Sequence, residues 1–328
     1  MVDYRLVIPL LASFFITLFL LIFWIRKAKN IGLIWDDMHK INAEKVPGSG
    51  GLIAILGFLV GVLIYKAYVV FILQTRNSHL VEIFALLISI LFLTGLAFVD
   101  DLLGWRRGGL SKRSRIILVF FAAIPLVVIN AGKSTLSLSF LGFVDVGILY
   151  PLLFIPIGII GATTTFNFLA GYNGLEAGQG IIVLSALALV AFFTGNSWLS
   201  VIALCMVAAL FAFLIYNFYP ARVFPGNSLT YAVGGMIAII AILGNFERIA
   251  IFFFIPYILE TVLKLRGKLI KQSFGKPLPD GSLDLRYCKI YGLEHAAILV
   301  MKKTRIKPTE RRVVYLLWGF QITIISVG

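Results

Sequence analysis

The stretch IIVLSALALVAFFTGNSWLSVIALCMVAALFAFLIYN, residues 181–217, decides the fold of this chain. Two apolar runs without a charged residue flank the short polar turn TGNSW. The hydrocarbon core of a bilayer is about 30 Å thick and takes roughly 17 to 25 residues of helix to cross. The segment therefore predicts two membrane-crossing helices joined by a tight turn.

Similar apolar runs recur along the whole chain. Of its 328 residues 60% are hydrophobic and 13% are charged, and the mean hydropathy is +0.99, which excludes a water-soluble globular protein. The first run is followed by the charged WIRKAKN rather than by a small-residue cleavage site, so we expect it to remain as a helix. We predict one all-α polytopic membrane domain over residues 1–328, with ten spans at about 6–25, 50–72, 81–98, 114–130, 147–166, 180–194, 197–217, 229–244, 248–265 and 312–327.

The basic residues are distributed unevenly between the connections. The formal net charge is +14, and 24 of the 29 Lys and Arg residues lie in connections that follow odd-numbered spans. By the positive-inside rule these connections are cytoplasmic and both termini lie outside. The charge thus suits contact with the lipid bilayer, and no nucleic-acid partner is predicted because no module that reads nucleic acid accompanies it. Thirteen of the cations fall in 264–312, a predicted basic cytoplasmic loop in which SFGKPLPDGSLD favours a small hairpin.

Two adjacent aspartates, Asp100 and Asp101, follow the apolar run 81–98. If the helix ends with the apolar run, both carboxylates lie at its C-terminus, where an anion is disfavoured and needs a cation. They could pair with cations of the following loop, or they could form a divalent-metal or phosphate-transfer site. The candidate ion-pair partners are Arg106, Arg107, Lys112 and Arg113.

Three further segments of the inner connections carry groups suited to phosphate or nucleotide. In KVPGSGGL the glycines let backbone N–H groups approach an anion, beside Lys45 and at the start of a helix at Gly51. In LSKRSR, Arg115 is nearest the apolar run and is the best candidate to face a buried pyrophosphate. In ARVFPGNS, Phe224 could anchor in the membrane or stack on a nucleobase.

The segment NFLAGYNGLEAGQG, residues 167–180, interrupts the apolar pattern between two spans. Asn167 and Asn173 offer amides that can coordinate a cation through oxygen, read a base edge or cap a helix. Gly171 permits close backbone approach, and Glu176 adds a charge. Helix capping explains one asparagine at most, so the segment indicates a binding site.

Taken in order, KVPGSGGL, FVDDLLGWRRGGLSKRSR, NFLAGYNGLEAGQG and ARVFPGNSLTYAVGG resemble the motifs of the polyprenyl-phosphate N-acetylhexosamine-1-phosphate transferases. NGLEAGQ is most similar to the dolichyl-phosphate N-acetylglucosamine-phosphotransferase branch and less similar to the bacterial lipid I synthases. The resemblance implies transfer of a sugar 1-phosphate from a UDP-sugar, UDP-GlcNAc in that branch, to a polyprenyl or dolichyl phosphate. UMP is released with Mg²⁺ as cofactor, in the first step of lipid-linked oligosaccharide assembly. It also implies a homodimer, and the compact chain favours an archaeal plasma membrane over the endoplasmic reticulum.

The resemblance also implies roles for individual residues. Asp100 would position or deprotonate the acceptor phosphate with Asp101 beside it, and Asn167 would bind the metal. Asn173 would read uracil. The remaining roles are uracil stacking for Phe224, the floor of that pocket for Gly171, phosphate contact for Arg115, and sugar recognition in the loop 264–312 for Lys276 and Arg266.

One position departs from the family pattern. Where the family carries a metal-binding aspartate, this chain has Asn227, which keeps an oxygen donor but loses the charge that holds Mg²⁺ against water. The alternatives are a weaker metal site completed by substrate phosphates, or an inactivated copy, natural or engineered, that only binds its ligands. An anion transporter is the alternative from another class, although its polar groups would be expected near the middle of the membrane.

Overall fold

A computed structural model of the chain describes residues 4–41, 44–75, 79–138 and 142–328, without the side chains of 4, 105–107, 136–138, 142 and 143. Within this part of the chain nearly all regular structure is helical, with twelve α-helices. They are α1 (Val7–Ile31), α2 (Gly51–Phe71), α3 (Leu80–Arg107), α4 (Lys112–Val128), α5 (Ile155–Phe166), α6 (Leu175–Phe193), α7 (Ser197–Asn217), α8 (Gly226–Gly244), α9 (Glu247–Phe253), α10 (Ile255–Arg266), α11 (Leu293–Lys303) and α12 (Glu310–Val327).

A helix lies on each of the ten predicted spans. Among the described residues six helices are long and apolar enough to cross a membrane: α1, α2, α3, α6, α7 and α8. The other four are shorter or interrupted. A π-helical turn, Tyr150–Phe154, precedes α5, and the ninth segment breaks into α9 and α10 at Phe254. The predicted class, an all-α polytopic membrane protein, is confirmed.

The helix ends differ from those expected from hydropathy. The third span, predicted to end at residue 98, continues as α3 to Arg107, so the expectation that Asp100 and Asp101 lie at a helix C-terminus is wrong. Likewise α6 begins at Leu175, which places Glu176 inside a helix and not in a connection. Hydropathy indicates which residues contact lipid, whereas Asp100, Asp101 and Glu176 are buried within the protein. A helix can therefore continue beyond its apolar run.

The packing places α8 at the centre of the protein. In its apolar window 83% of the residues are buried, compared with 22% in α1, which exposes Phe15, Phe19 and Phe23 at the periphery. Helix α8 contacts α3 and α5 most extensively, and α6 packs along α7. The N-terminus of α8, which carries Asn227, is therefore held from several sides.

Short antiparallel strand pairs lie in the connections between the helices. The pairs are β1 (Ile34–Asp36) with β2 (Lys45–Pro47), β3 (Thr135–Leu138) with β4 (Gly142–Asp145), and β5 (Lys276–Pro277) with β6 (Leu283–Asp284). The last pair confirms the hairpin predicted in SFGKPLPDGSLD. The segment 264–312 also contains α11, which packs against α10 and α12.

Candidate active site

A cavity of about 970 Å³ opens where the connections predicted to be cytoplasmic meet. Its wall includes residues from the loop before α2, the ends of α3 and α5, the starts of α4, α6 and α8, and the segment after α10. Eight predicted site residues line it: Asp100, Asp101, Arg115, Asn167, Gly171, Asn173, Phe224 and Asn227. Segments distant in sequence thus form one composite site.

Asp100 is buried at the cavity wall and is held by three groups. Leu110 N donates to Oδ1 at 2.7 Å, and Asn227 Nδ2 donates to Oδ2 at 2.9 Å. Arg115 forms an ion pair with the same carboxylate, with 3.0 Å between Nε and Oδ2. The cation at this aspartate is therefore Arg115, the residue predicted to meet a phosphate.

Two of the four basic residues predicted to pair with the aspartates do not do so. Neither Lys112 nor Arg113 forms an ion pair with Asp100 or Asp101, although Lys112 lines the cavity. The side chains of two others, Arg106 and Arg107, lie outside the described residues.

Asp101 caps the N-terminus of α8 from the neighbouring helix α3. Its carboxylate accepts from Asn227 N at 2.8 Å, Ser228 N at 3.3 Å and Ser49 Oγ at 3.1 Å. These N–H groups have no partner within their own helix, so an anion satisfies them well. Gly226 makes the approach possible, because its φ is 69° and a Cβ there would lie 2.3 Å from Asp101 Oδ2.

Replacing Asp101 by asparagine should destabilise the protein by about 2 kcal/mol, since the –NH2 group that replaces one carboxylate oxygen would face at least one of the three donors. The measurement is the thermal midpoint in detergent, with Glu44→Gln as the control because that carboxylate is exposed. A midpoint for Asp101→Asn equal to that of the control would contradict the capping role.

The asparagines predicted as metal ligands line the same cavity as Asp100, and Asn227 contacts it directly. Thr230, one turn along α8 from Asn227, donates its hydroxyl to Asn167 Oδ1 at 2.8 Å. The side chains of Asp100, Asn167 and Asn227 offer hard oxygen donors, the kind that Mg²⁺ prefers. The donor set therefore fits Mg²⁺ in type, with a carboxamide where a second carboxylate would bind more strongly.

The nucleotide-binding candidates are held by backbone contacts. Phe224 N donates to Pro47 O at 2.7 Å, and Gly50 N donates to Phe224 O at 3.0 Å, which ties the loop before α8 to the loop before α2. Gly171 has φ 106°, and a Cβ there would lie 2.1 Å from the ring of Phe274. A side chain at residue 171 would therefore be strained and would collide with the wall.

A second buried cluster adjoins the cavity at Asn173. The side chain donates through Nδ2 to Asp37 Oδ2 at 3.1 Å, and the main-chain N donates to Glu310 Oε1 at 2.8 Å. The ring of His39 lies 4.0 Å from the ring of Tyr172, centroid to centroid, and its Nδ1 is 3.7 Å from Glu310 Oε1. Sequence reasoning missed Asp37, His39 and Glu310, because no local motif connects them with Asn173.

Burial lowers the pKa of His39 to about 4, with a smaller contribution from Arg286 and an opposing one from Asp37. The folded imidazole is therefore neutral, and the unfolded one, near its ordinary value of 6.5, takes up a proton first as the pH falls. The contribution of neutral His39 to the free energy of unfolding should be fully present above pH 6.5. It should decline by about 3 kcal/mol as the pH approaches 4. Thermal midpoints across this range should fall less steeply for His39→Gln than for the wild type; parallel curves would contradict the assignment.

Three predicted site residues do not reach the cavity. Lys45 on β2, Lys276 on β5 and Arg266 at the end of α10 are exposed, and none of them lines the wall. In the segment 264–312 the lining residues are instead Lys264 and a run from Leu269 to Phe274. The family resemblance predicted a sugar-recognition role for this segment, but the loose match did not indicate which side chains turn toward the cavity.

The chain is similar in sequence to one known family and to several named transferases. The family described as Glycosyl transferase family 4 matches residues 83–245, the part from α3 to α8 that carries Asp100 and Asn227. A Saccharolobus solfataricus protein named "Putative UDP-N-acetylglucosamine--dolichyl-phosphate N-acetylglucosaminephosphotransferase" is 36% identical over 316 residues, 96% of this chain and 92% of that protein. A UDP-N-acetylglucosamine--dolichyl-phosphate N-acetylglucosaminephosphotransferase of Dictyostelium discoideum is 33% identical over 269 residues, 72% of this chain and 63% of that protein. A phospho-N-acetylmuramoyl-pentapeptide-transferase of Halalkalibacterium halodurans is 31% identical over 295 residues, 82% of this chain and 87% of that protein.

Proposed function

The chain belongs to glycosyl transferase family 4, and on that premise we propose that it transfers N-acetylglucosamine 1-phosphate from UDP-N-acetylglucosamine to a polyprenyl phosphate of the dolichyl type. The observation that carries this proposal is the cavity in which Asp100, Arg115 and Asn227 meet at the ends of apolar helices. The names of the similar transferases support the two substrates.

In the proposed reaction an oxygen of the lipid phosphate attacks the β-phosphorus of the UDP-sugar. A new P–O bond forms, the bond between the β-phosphorus and the bridging oxygen breaks, and UMP leaves with that oxygen. Asp100 positions the acceptor phosphate and accepts its proton if it arrives protonated, while Arg115 offsets charge on the phosphates. Positioning and charge neutralisation provide most of the catalysis in such transfers.

We propose Mg²⁺ as the cofactor, held by Asp100, Asn167 and Asn227 together with the diphosphate of the donor. The ion supplies charge neutralisation on the transferred phosphate and its leaving group. The carboxamide of Asn227 makes this a weaker site than one with an aspartate. Asp101 would position Asn227 indirectly, because it binds the main-chain N–H groups in the first turn of α8.

The base of the nucleotide would lie between Phe224 and the surface around Gly171, with Asn173 at its edge. The segment 264–312 would contact the sugar, and its cavity-lining Lys264 and Lys271 are better placed for this than Lys276 or Arg266. The distribution of basic residues supports a cytoplasmic site with both termini outside. We propose a plasma membrane of archaeal type, in line with the similarity to the Saccharolobus solfataricus protein. A homodimer belongs to the same proposal.

The test is release of UMP by purified protein in detergent, supplied with UDP-GlcNAc, dolichyl phosphate and Mg²⁺. Release should require all three components. Binding of UDP-GlcNAc without release, in the wild type and in Asn227→Asp alike, would indicate a binding protein. Uptake of UDP-GlcNAc into vesicles without turnover would indicate a transporter.

A further inference from the structure

Asn173 is held at the cavity by two acidic side chains from opposite ends of the chain. Its side chain donates through Nδ2 to Asp37, in the loop before α2, and its main-chain N donates to Glu310, the first residue of α12. All three residues are at least 95% buried, yet Asn173 also lines the cavity. The two contacts act on different parts of the residue, since one holds the amide and the other holds the backbone.

The contact with Asp37 fixes which way the amide faces. A carboxylate only accepts hydrogen bonds, so the nitrogen of the amide faces it and the oxygen faces away. Asp37 is supported as an anion by Lys40, whose Nζ lies 3.5 Å from the same oxygen, and by His39 N, which donates to the other oxygen at 3.1 Å. No donor in the described part of the chain hydrogen-bonds Asn173 Oδ1. The oxygen is thus the acceptor that remains for a ligand.

Uracil and cytosine differ at the edge that such an amide would read. Uracil has a donor at N3 and an acceptor at position 4, whereas cytosine has an acceptor at N3 and a donor at position 4. An amide that can turn over by 180° satisfies either base, because its oxygen and nitrogen exchange places. An amide that cannot turn over satisfies only one of them, and the other base leaves buried polar groups unpaired.

We propose that Asp37 locks the amide of Asn173 and thereby makes the site select uracil over cytosine nucleotides. The inference rests on the proposed function, in which Asn173 meets the base. Asp37 is a positioning residue in this account, since it acts through Asn173. Glu310 holds the backbone and leaves the amide orientation unaffected.

The experiment is calorimetric titration of the full-length protein in detergent with UMP and with CMP, which needs no turnover. The wild type should bind UMP at least about tenfold more tightly than CMP, because the loss of one hydrogen bond weakens binding by about that factor. Asp37→Asn should bring the two dissociation constants to within about threefold, because an amide at residue 37 can donate or accept and so permits either orientation. Asp37→Glu keeps the carboxylate and should restore a preference for UMP.

The matched control is Glu310→Gln, which changes the other buried acidic side chain that contacts Asn173. Its amide oxygen can still accept from Asn173 N. The dissociation constants for UMP and CMP should therefore change by the same factor, and the preference for UMP should remain. A role of Asp37 in folding alone would also weaken both nucleotides equally, and that result with Asp37→Asn would overturn the proposal.

A second measurement uses the unaltered protein and 3-methyl-UMP, which lacks the N3–H donor. Binding should weaken at least about tenfold relative to UMP. Equal binding of UMP and 3-methyl-UMP overturns the proposal while leaving the transferase function intact. A wild type that binds none of the uridine nucleotides, UDP-GlcNAc included, overturns the proposed function itself.

Discussion

Replacing Asp100 by asparagine is expected to lower the rate of UMP release from UDP-GlcNAc by about a thousandfold, the upper part of the range for a positioned acid–base or electrostatic group. Asparagine keeps the shape but removes the charge that pairs with Arg115 and the group that accepts a proton. It also removes the one carboxylate among the proposed metal ligands. The affinity for UMP should change little, because the proposed contacts of the base are with Asn173 and Phe224.

The measurement is turnover at saturating UDP-GlcNAc, dolichyl phosphate and Mg²⁺, with a UMP titration of the same preparation to show that the site is folded. Asp284→Asn is the control, since Asp284 is partly exposed and pairs with Lys302 outside the cavity. It should retain wild-type turnover. An Asp100→Asn protein that binds UMP and turns over within fivefold of the control would remove Asp100 from the mechanism.

Replacing Asn227 by aspartate is expected to raise turnover at limiting Mg²⁺ on the order of a hundredfold, as expected for restoring one preorganised charge. Asn227 now donates through Nδ2 to Asp100, so the two side chains satisfy each other directly. An aspartate at residue 227 would instead oppose a like charge at this distance, and a cation between them would relieve the repulsion. The variant should therefore bind Mg²⁺ more tightly as well as react faster.

Turnover measured against Mg²⁺ concentration tests this prediction, and the concentration for half-maximal rate should fall in the variant. Asn245→Asp adds the same charge at the opposite end of α8 and should leave the curve unchanged. If Asn227→Asp is no faster than the wild type at any Mg²⁺ concentration, Asn227 does not stand in for a metal-binding carboxylate.

The sequence predicted the helices better than their ends. Each apolar run corresponds to a helix because an unpaired backbone is not tolerated in hydrocarbon. The ends near the site extend past the apolar residues, as in α3, where Asp100 and Asp101 are satisfied by Leu110, Arg115 and the start of α8. These partners become neighbours only in the folded protein.

The same distinction applies to the candidate site. Asn173 and Phe224 stand out in sequence because glycine and polar residues interrupt apolar runs, and both line the cavity. The contacts that hold Asn173 in place come from residues 136 and 137 positions away, Asp37 and Glu310, which carry no signal of their own. Lys276 was chosen from a loosely matched loop of the family, and it lies exposed on a short strand.

The central claim is that a phosphate moves together with the sugar, and the most direct test is UDP-GlcNAc labelled with ³²P at the β-phosphate. Purified protein with dolichyl phosphate and Mg²⁺ should transfer the label to the lipid extract, one label for each UMP released. Label that stays with the nucleotide as UDP while the sugar reaches the lipid would contradict the account, because it would mean transfer of the sugar alone.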